Sequence, residues 1–525
     1  MKLLLVTLIL LWISIGCSAY NILVFLPLHV WSHYVQVEPI FIALAERGHN
    51  LTVYSTWPPK KAVPNFHHTF LTTSKMKEKW GSFNSIQSSL SKSNFVTIHM
   101  MWQLVSETIG DEILSSDQFQ DLIRNDHGHR FDLIFTELFF GTEFFSVLNH
   151  KLGAPIVSYS SFGYDSKIHK FTGASNAFAY LPDKSSNYPS PMTLFQRLDN
   201  AITHVVSMGV LDEYWHYPLM DKLLAKYVPG PLPSVTSMLK NISLHFFTGN
   251  VAVDGSRLLP QNVVELAGTQ IKAPSPLPKD LQAVMNKATN GVIYFSFGSL
   301  VKASYFKKED IELLLRVFKQ LDQTVLWKTD FNSTEVILPK NVILKNWFDQ
   351  SSILSHPNCV LFFTHGGISS IMEAINFAVP VLGMPFYGDQ PHNMAFAEKY
   401  GYGLTLEYKD LTHDSLLGSI KKVLGDPKYK KNIERGSRIF RDSPMSGVDT
   451  AIYWIEYVIR HEGAHHLKPV TVQMPWYQEF LLDVIVIFVT IFSVFMYILL
   501  KIFSFLVFCY RKFGKKSMNE KKKEI

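Results

Sequence analysis

The chain is poor in cysteine, in charge and in the glycine signature of a dinucleotide fold, and each shortage excludes something. Only three cysteines occur in 525 residues; Cys17 and Cys509 lie in apolar terminal segments, which leaves Cys359 alone in the body. An internal disulfide framework is therefore ruled out. Charged residues make up 18% of the chain against 47% hydrophobic, a balance that supplies buried cores and gives no sign of disorder. The net charge of +6 carries no nucleic-acid signal. Beyond Leu500 stand eight Lys or Arg and two Glu, 8 − 2 = +6, so the first 500 residues balance to zero. No GxGxxG follows the first strand, which argues against a nicotinamide dehydrogenase. At this length two ordinary domains plus extras are expected.

Both ends carry membrane-related patterns. The start, MKLLLVTLILLWISIGCSA, has a Lys, an apolar core and small residues at Ser18-Ala19, and reads as a secretory signal over residues 1–19. Near the other end, Val484 to Leu500 is free of charge, with Trp476 and Tyr477 before it and Lys501 after it. Spanning a bilayer takes roughly 20 residues, so a transmembrane helix is expected over 481–508. The basic tail, 509–525, then lies on the cytosolic side, and its last four residues, Lys522-Lys523-Glu524-Ile525, match a dilysine retrieval signal. Sequons at Asn50, Asn241 and Asn332 fit a lumenal, glycosylated body.

The most informative stretch runs from Trp347 to Gln390. Its pattern predicts a loop with Trp347 and Gln350, a strand Val360 to Phe363, a turn at Thr364-His365-Gly366-Gly367, a helix to about Phe377, a strand Val381 to Pro385, and a turn holding Asp389-Gln390. Adjacent glycines let a backbone come close to a ligand, and the following helix offers free N–H groups to an anion, so a diphosphate suits this turn. Upstream, Gly291 to Phe297 reads as a buried strand ending in Ser296-Phe297-Gly298-Ser299, where the Ser299 hydroxyl and local N–H groups suit a phosphate or simply close a strand-end turn. Three prolines, Pro274, Pro276 and Pro278, mark the preceding boundary.

The first half opens strand, loop, helix, strand over Ile22 to Ser55. His33 falls where the first strand gives way to its helix, the edge that faces the ligand crevice in open parallel sheets, and an imidazole there takes a proton near neutral pH. His29 is the nearby alternative. A second strand, Phe131 to Thr136, ends at Glu137, with Glu143 shortly after; either carboxylate also suits a helix N-terminus. Asp132, at the start of that strand, is expected away from the chemistry. Residues 60–125 read as helical. Residues 160–240 read as loops and helices over a cleft, where the helix-spaced aromatics Tyr214, Trp215 and Tyr217 suit a core, the commoner case, or a ligand box.

The Trp347–Gln390 set, with Ser296-Phe297-Gly298-Ser299 and Ser32-His33, resembles the signature of the UDP-glycosyltransferases, and the resemblance covers nearly the whole chain from residue 20. It implies an α/β fold of the GT-B architecture, two Rossmann-like domains facing across a cleft, plus the C-terminal transmembrane helix. The acceptor domain would be 20–272, the linker 273–290, the UDP-sugar domain 291–450, and 451–480 a bracing helix with a juxtamembrane segment. By resemblance His33 is the general base and Glu137 holds it, standing where the family has an aspartate one methylene shorter; Glu143 is the alternative. Trp347 would stack on the uracil, Gln350 bind the uridine, Glu373 accept from the ribose hydroxyls, and Asp389 and Gln390 grip the sugar. His365, Gly366, Gly367 and Ser299 would meet the diphosphate, and Ser369 stands where relatives carry Asn. The partners implied are a UDP-sugar co-substrate, a small lipophilic hydroxyl-bearing acceptor and the lipid bilayer; no nucleic acid is expected, and a homo-oligomer is compatible with the pattern. No Asp-x-Asp occurs, so no metal or other cofactor is expected. The location implied is the endoplasmic reticulum membrane, single-pass with a lumenal body, and the role a detoxifying hexosyl transfer, of glucose or glucuronic acid. A UDP-sugar-binding protein without turnover and an enzyme for one endogenous lipid are the alternatives.

Overall fold

The computed structural model describes residues 19–75, 78, 93–124, 130–174, 177–299, 301–302, 306–330 and 337–521, with Ser166 and 513–521 as backbone only. Most of the signal segment, the Asn332 sequon and the last four residues lie outside the described residues. Strands β1 (Asn21–Leu26), β2 (Asn50–Ser55), β3 (Phe66–Phe70), β4 (Leu133–Glu137), β5 (Ile156–Ser160), β6 (Leu244–Thr248) and β7 (Val263–Leu266) form one sheet, in the order β3-β2-β1-β4-β5-β6-β7. A second sheet takes β8 (Val292–Ser296), β9 (Thr324–Lys328), β10 (Val342–Lys345), β11 (Cys359–Thr364), β12 (Val381–Gly383) and β13 (Gly403–Thr405) in the order β10-β9-β8-β11-β12-β13. Among the described residues every strand pair in both sheets is parallel. Central strands such as VIYFS and LIFTE are buried along their whole length, as expected where helices cover both faces.

Chain order reverses between β1 and β4 in the first sheet and between β8 and β11 in the second. Ligands of open α/β sheets bind beyond the carboxyl ends of the strands at such switch points. Each switch is followed by a helix that carries site residues: α1 (Trp31–Glu46) after β1, and, further on, a helix after β11 described with the site below.

The stretch expected to be helical over 60–125 contains α2 (Asn94–Leu114), but Phe66–Phe70 is strand β3. This strand pairs on one side only, with β2, and its sequence FHHTF lacks the apolar run of a central strand, which hides it from pattern reading. Further along the first half stands α3 (Leu194–His204), which continues as a π-helical segment, Val205–His216. Of the three aromatics expected in the core there, Tyr217 is buried, whereas Tyr214 is 81% and Trp215 52% exposed.

After its helix α4 (Ile368–Asn376) and the following α5 (Gln390–Lys399), the second half ends in α6 (Gly447–Arg460). This last helix returns to the first sheet, burying Ala451, Ile452, Ile455 and Val458 in one cluster with β1, β4 and α1. Arg47 reaches Asp449 at 3.3 Å and His49 reaches Glu456 at 3.2 Å along its flank. Residues up to Pro469 form one compact unit and 470–525 another. The second contains α7 (Leu482–Lys521), whose segment Leu482–Lys512 reaches a mean hydropathy of 2.6 over an 18-residue window and is long and apolar enough to cross a membrane.

Candidate active site

The first switch point places two distant residues side by side. His33 lies in the first turn of α1 and Glu137 at the carboxyl end of β4, and because β1 and β4 are paired neighbours the imidazole and carboxylate meet. His33 Nδ1 is 3.0 Å from Glu137 Oε1 and 3.2 Å from Oε2. A carboxylate on Nδ1 fixes that nitrogen as the N–H donor and leaves Nε2 as the basic atom. Ser161 Oγ donates to Glu137 Oε1 at 2.8 Å, and Phe162 packs edge-on to the imidazole at 4.7 Å. Both members are buried. The extra methylene of Glu137 is thus accommodated, with both oxygens within reach of the ring.

The other residues considered stand elsewhere. Glu143 is buried in a 3₁₀ turn near Lys167 and Asp212, where burial pushes its carboxyl up to about 7. His29 stacks on Trp57 at 4.6 Å. Asp132 accepts the Asn21 backbone N–H at 2.7 Å, at the far end of the strand from His33.

The second switch point carries the glycine turn. Gly366 has φ +84°, a region glycine enters without cost, and a Cβ there would stand 2.7 Å from Met394 Cγ. The His365 ring fills the space between two glycines: a Cβ on Gly367 would lie 2.6 Å from its Nε2, and one on Gly298, 2.7 Å from its Cε1. Gly367 is the N-cap of α4, so the N–H groups of its first turn are open. Burial, with Lys328 nearby, pushes the His365 imidazole down to about 4, so it is neutral at physiological pH and keeps one N–H to donate.

His33, Ser299, Trp347, Gln350, His365, Gly367, Ser369, Glu373, Asp389 and Gln390 all line one cavity of about 360 Å³ between the two sheets. Glu137 stands behind His33, and Gly366 behind the turn, outside that lining. Gln350 Nε2 donates to Glu373 Oε2 at 2.8 Å, and burial raises the Glu373 carboxyl to about 7. Trp347 is 61% exposed, with Lys328 Nζ 4.6 Å from its ring centre, leaving an aromatic face for a planar ligand. Burial raises the Asp389 carboxyl, while Asn393 Nδ2 donates to it at 2.6 Å and to the Gly366 carbonyl at 3.0 Å. Gln390 Oε1 accepts the Phe386 N–H at 2.9 Å, so the amide end left for a ligand is the NH2. On the opposite side Met101, Phe140 and Phe162 give the cavity an apolar wall.

Sequence reading misses the residues that join the halves. Gln36 Nε2 donates to Ser369 Oγ at 3.0 Å, while its Oε1 accepts from Tyr159 and Thr248. Asn94, at the start of α2, donates to the Gly388 carbonyl and accepts the Gly388 N–H, each at 2.9 Å, immediately before Asp389. Lys60, Lys272 and Lys328 also line the cavity. An isolated Gln, Asn or Lys carries no motif that could have marked it.

Two Rossmann-type sheets whose switch points face one cavity, one with a glycine turn before a helix and the other with a buried His–Glu pair, define a glycosyltransferase of GT-B architecture. Solved glycosyltransferases share that fold: VinC, determined in complex with DTDP, aligns with a TM-score of 0.56 at 14% identity over 84% of this chain and 100% of its own. CalG4, the calicheamicin glycosyltransferase, gives 0.54 at 17% identity over 85% and 99%. The family described as UDP-glucoronosyl and UDP-glucosyl transferase matches residues 21–522, and the chain belongs to it. Relatives include UDP-glucosyltransferase 2 of Dactylopius coccus, 35% identical over 91% of each chain. UDP-glucuronosyltransferase 2B7 of Homo sapiens is 29% identical over 94% of each. The human 2-hydroxyacylsphingosine 1-beta-galactosyltransferase is 31% identical over 91% of this chain and 87% of its own. The protein is a UDP-glycosyltransferase.

Proposed function

We propose that the enzyme transfers a hexosyl group, glucose in the first instance, from a UDP-sugar to a hydroxyl of a small lipophilic acceptor by a single inverting displacement. The observation that carries this reading is the His33–Glu137 contact at 3.0 Å on the wall of the cavity that also holds the glycine turn. His33 Nε2 takes the acceptor hydroxyl proton while Glu137 stabilises the imidazolium through Nδ1–H. The acceptor oxygen attacks the anomeric carbon on the face opposite UDP, the C–O bond to the diphosphate breaks, and the configuration inverts. The α4 N-terminus, His365 and Ser299 offset charge building on the leaving diphosphate.

Trp347 stacks on the uracil, Gln350 holds the uridine, and Glu373 accepts from the ribose diol, a task suited to a carboxylate already partnered by Gln350. Asp389 and the Gln390 NH2 bracket sugar hydroxyls, and Gly366, Gly367 and Ser369 border the diphosphate. Glucose is preferred because the Dactylopius coccus relative bears a glucosyltransferase name. No step uses a metal. Residues 482–512 anchor the enzyme in the endoplasmic reticulum membrane, with the body lumenal and the basic tail cytosolic.

The test is release of UDP by membranes carrying the full chain, with UDP-glucose and UDP-glucuronate in turn and a simple phenol as acceptor, beside a His33→Ala control. Acceptor-dependent release with UDP-glucose that vanishes in the control is expected. Release with UDP-glucuronate alone would overturn the donor assignment, and release unchanged in the control would overturn the base.

A further inference from the structure

The α3 helix and its π-helical continuation are built inside out. Phe195, Leu198, Ile202, Val205, Tyr214 and Trp215 are between 52% and 81% exposed, while the buried positions of the same stretch include Asn200, His204, Ser207, Asp212 and His216. The exposed set steps by three or four residues along α3, and the wider π-helical turn carries the stripe on to Tyr214. A helix on the surface of a water-soluble body shows the reverse arrangement, and a contiguous exposed apolar face of this kind marks an interaction site.

The buried polar side is structurally engaged. Asp212 pairs with buried Lys167 at 2.9 Å, Asn200 donates to the carbonyls of Phe178 and Leu181, and His216 Nε2 lies 3.2 Å from His99 Nδ1 on α2. These contacts fix the helix rotation, so the apolar stripe cannot turn inward without breaking a buried ion pair.

We infer that this stripe, Phe195 to Trp215, is a membrane-docking surface on the catalytic body, and that its occupant is the acyl-headgroup boundary of a lipid bilayer. The inference rests on the membrane-anchor reading of 482–512. The same chain carries that apolar span, and the intervening segment 470–481 reaches at most roughly 40 Å when fully extended, so a bilayer is the apolar phase always within range of the body. Large aliphatic and aromatic residues along the stripe, with Tyr214 and Trp215 together at one end, suit a helix lying in the interface plane, with aromatic rings at headgroup level. The docked helix packs through His216 on His99 and Trp102 of α2, whose Met101 lines the cavity. The stripe thus places the acceptor side of the cavity close to the phase in which a lipophilic acceptor dissolves.

The test uses the full chain reconstituted in phosphatidylcholine vesicles and labelled by a lipophilic diazirine dissolved in the acyl phase, with labelled peptides located by mass spectrometry. Label is expected in 482–512 and in 194–215. Combining Phe195→Ser, Leu198→Ser and Ile202→Ser should reduce the second to background and leave the first. The same variant should raise KM several-fold for an acceptor partitioned into the vesicles and leave KM for a small water-soluble phenol unchanged, which also shows that it folds. Label confined to 482–512 would overturn the docking surface while the anchor stands, as would protection of 194–215 by a second copy seen in cross-linking. Label in neither segment would remove the anchor reading and the proposal with it.

Discussion

The two halves of the body use one architecture to do opposite things with charge. In the first sheet the switch between β1 and β4 presents a buried imidazole held by a carboxylate, a pair made to accept a proton. In the second the switch between β8 and β11 presents backbone N–H groups and a neutral imidazole packed against glycines, a surface made to receive an anion. The first needs side chains from a helix and a distant strand, α1 and β4, whereas the second is assembled within one β-turn-α-β unit that Gly298 joins from the end of β8. On the proposed mechanism, a strand order that repeats in both halves supplies a base on one side and a leaving-group cradle on the other.

If this division is real, mutations should separate cleanly by half. Glu137→Gln should lower kcat by roughly 10²-fold or more, because the imidazolium loses its counter-charge, while the Kd for UDP stays unchanged. A parallel loss of UDP affinity would show that the halves are not independent. On the other side, Glu373→Gln should weaken UDP-glucose binding by about 1.5–3 kcal/mol and leave kcat at saturating donor unchanged. Calorimetry gives the first quantity and steady-state kinetics the second.

A smaller effect tests the ionisation state of the donor half. Burial raises the Glu373 carboxyl to about 7. Ribose hydroxyls donate to the ionised form, so binding lowers this value and releases a proton. Affinity for UDP-glucose should rise with pH through about 7 and level off above it. Calorimetry in buffers of different ionisation enthalpy should detect proton release below that point, and none in Glu373→Gln. Proton uptake on binding would reverse the assignment.

The smallest expected effect lies at the seam. Asn94→Ala removes both hydrogen bonds to Gly388 and should raise KM for the UDP-sugar by a few-fold, equivalent to about 1 kcal/mol. Asn94→Asp keeps the acceptor for the Gly388 N–H and should fall between the two. Equal behaviour of both variants would mean that the clasp does not position Asp389.

The halves also differed in how much could be read in advance. The donor half was legible because its parts are local: the strand expected over Val360 to Phe363 is β11, and the turn at Gly366-Gly367 opens a helix as expected. The acceptor half was legible only at its two strand ends. His33 and Glu137 lie 104 residues apart and meet through strand order, which no local pattern encodes. Edge strand β3 hid behind polar residues, and Trp215 was placed in a core it does not enter, because helical spacing of aromatics says which face they share and not which way that face points. Gln36 gains its contact with Ser369, and Asn94 its contacts with Gly388, only when the halves meet.

The return of α6 to the first sheet sets an order of assembly. Residues from α1 and α6 share one apolar cluster, yet α6 emerges from the ribosome some 400 residues after α1. At synthesis rates of roughly 5–20 residues per second the first half spends about 20–80 s with that face uncovered. It cannot finish its own core until the second half is complete, so a chain truncated before Gly447 would leave the ribosome with an exposed apolar surface and become a substrate for quality control.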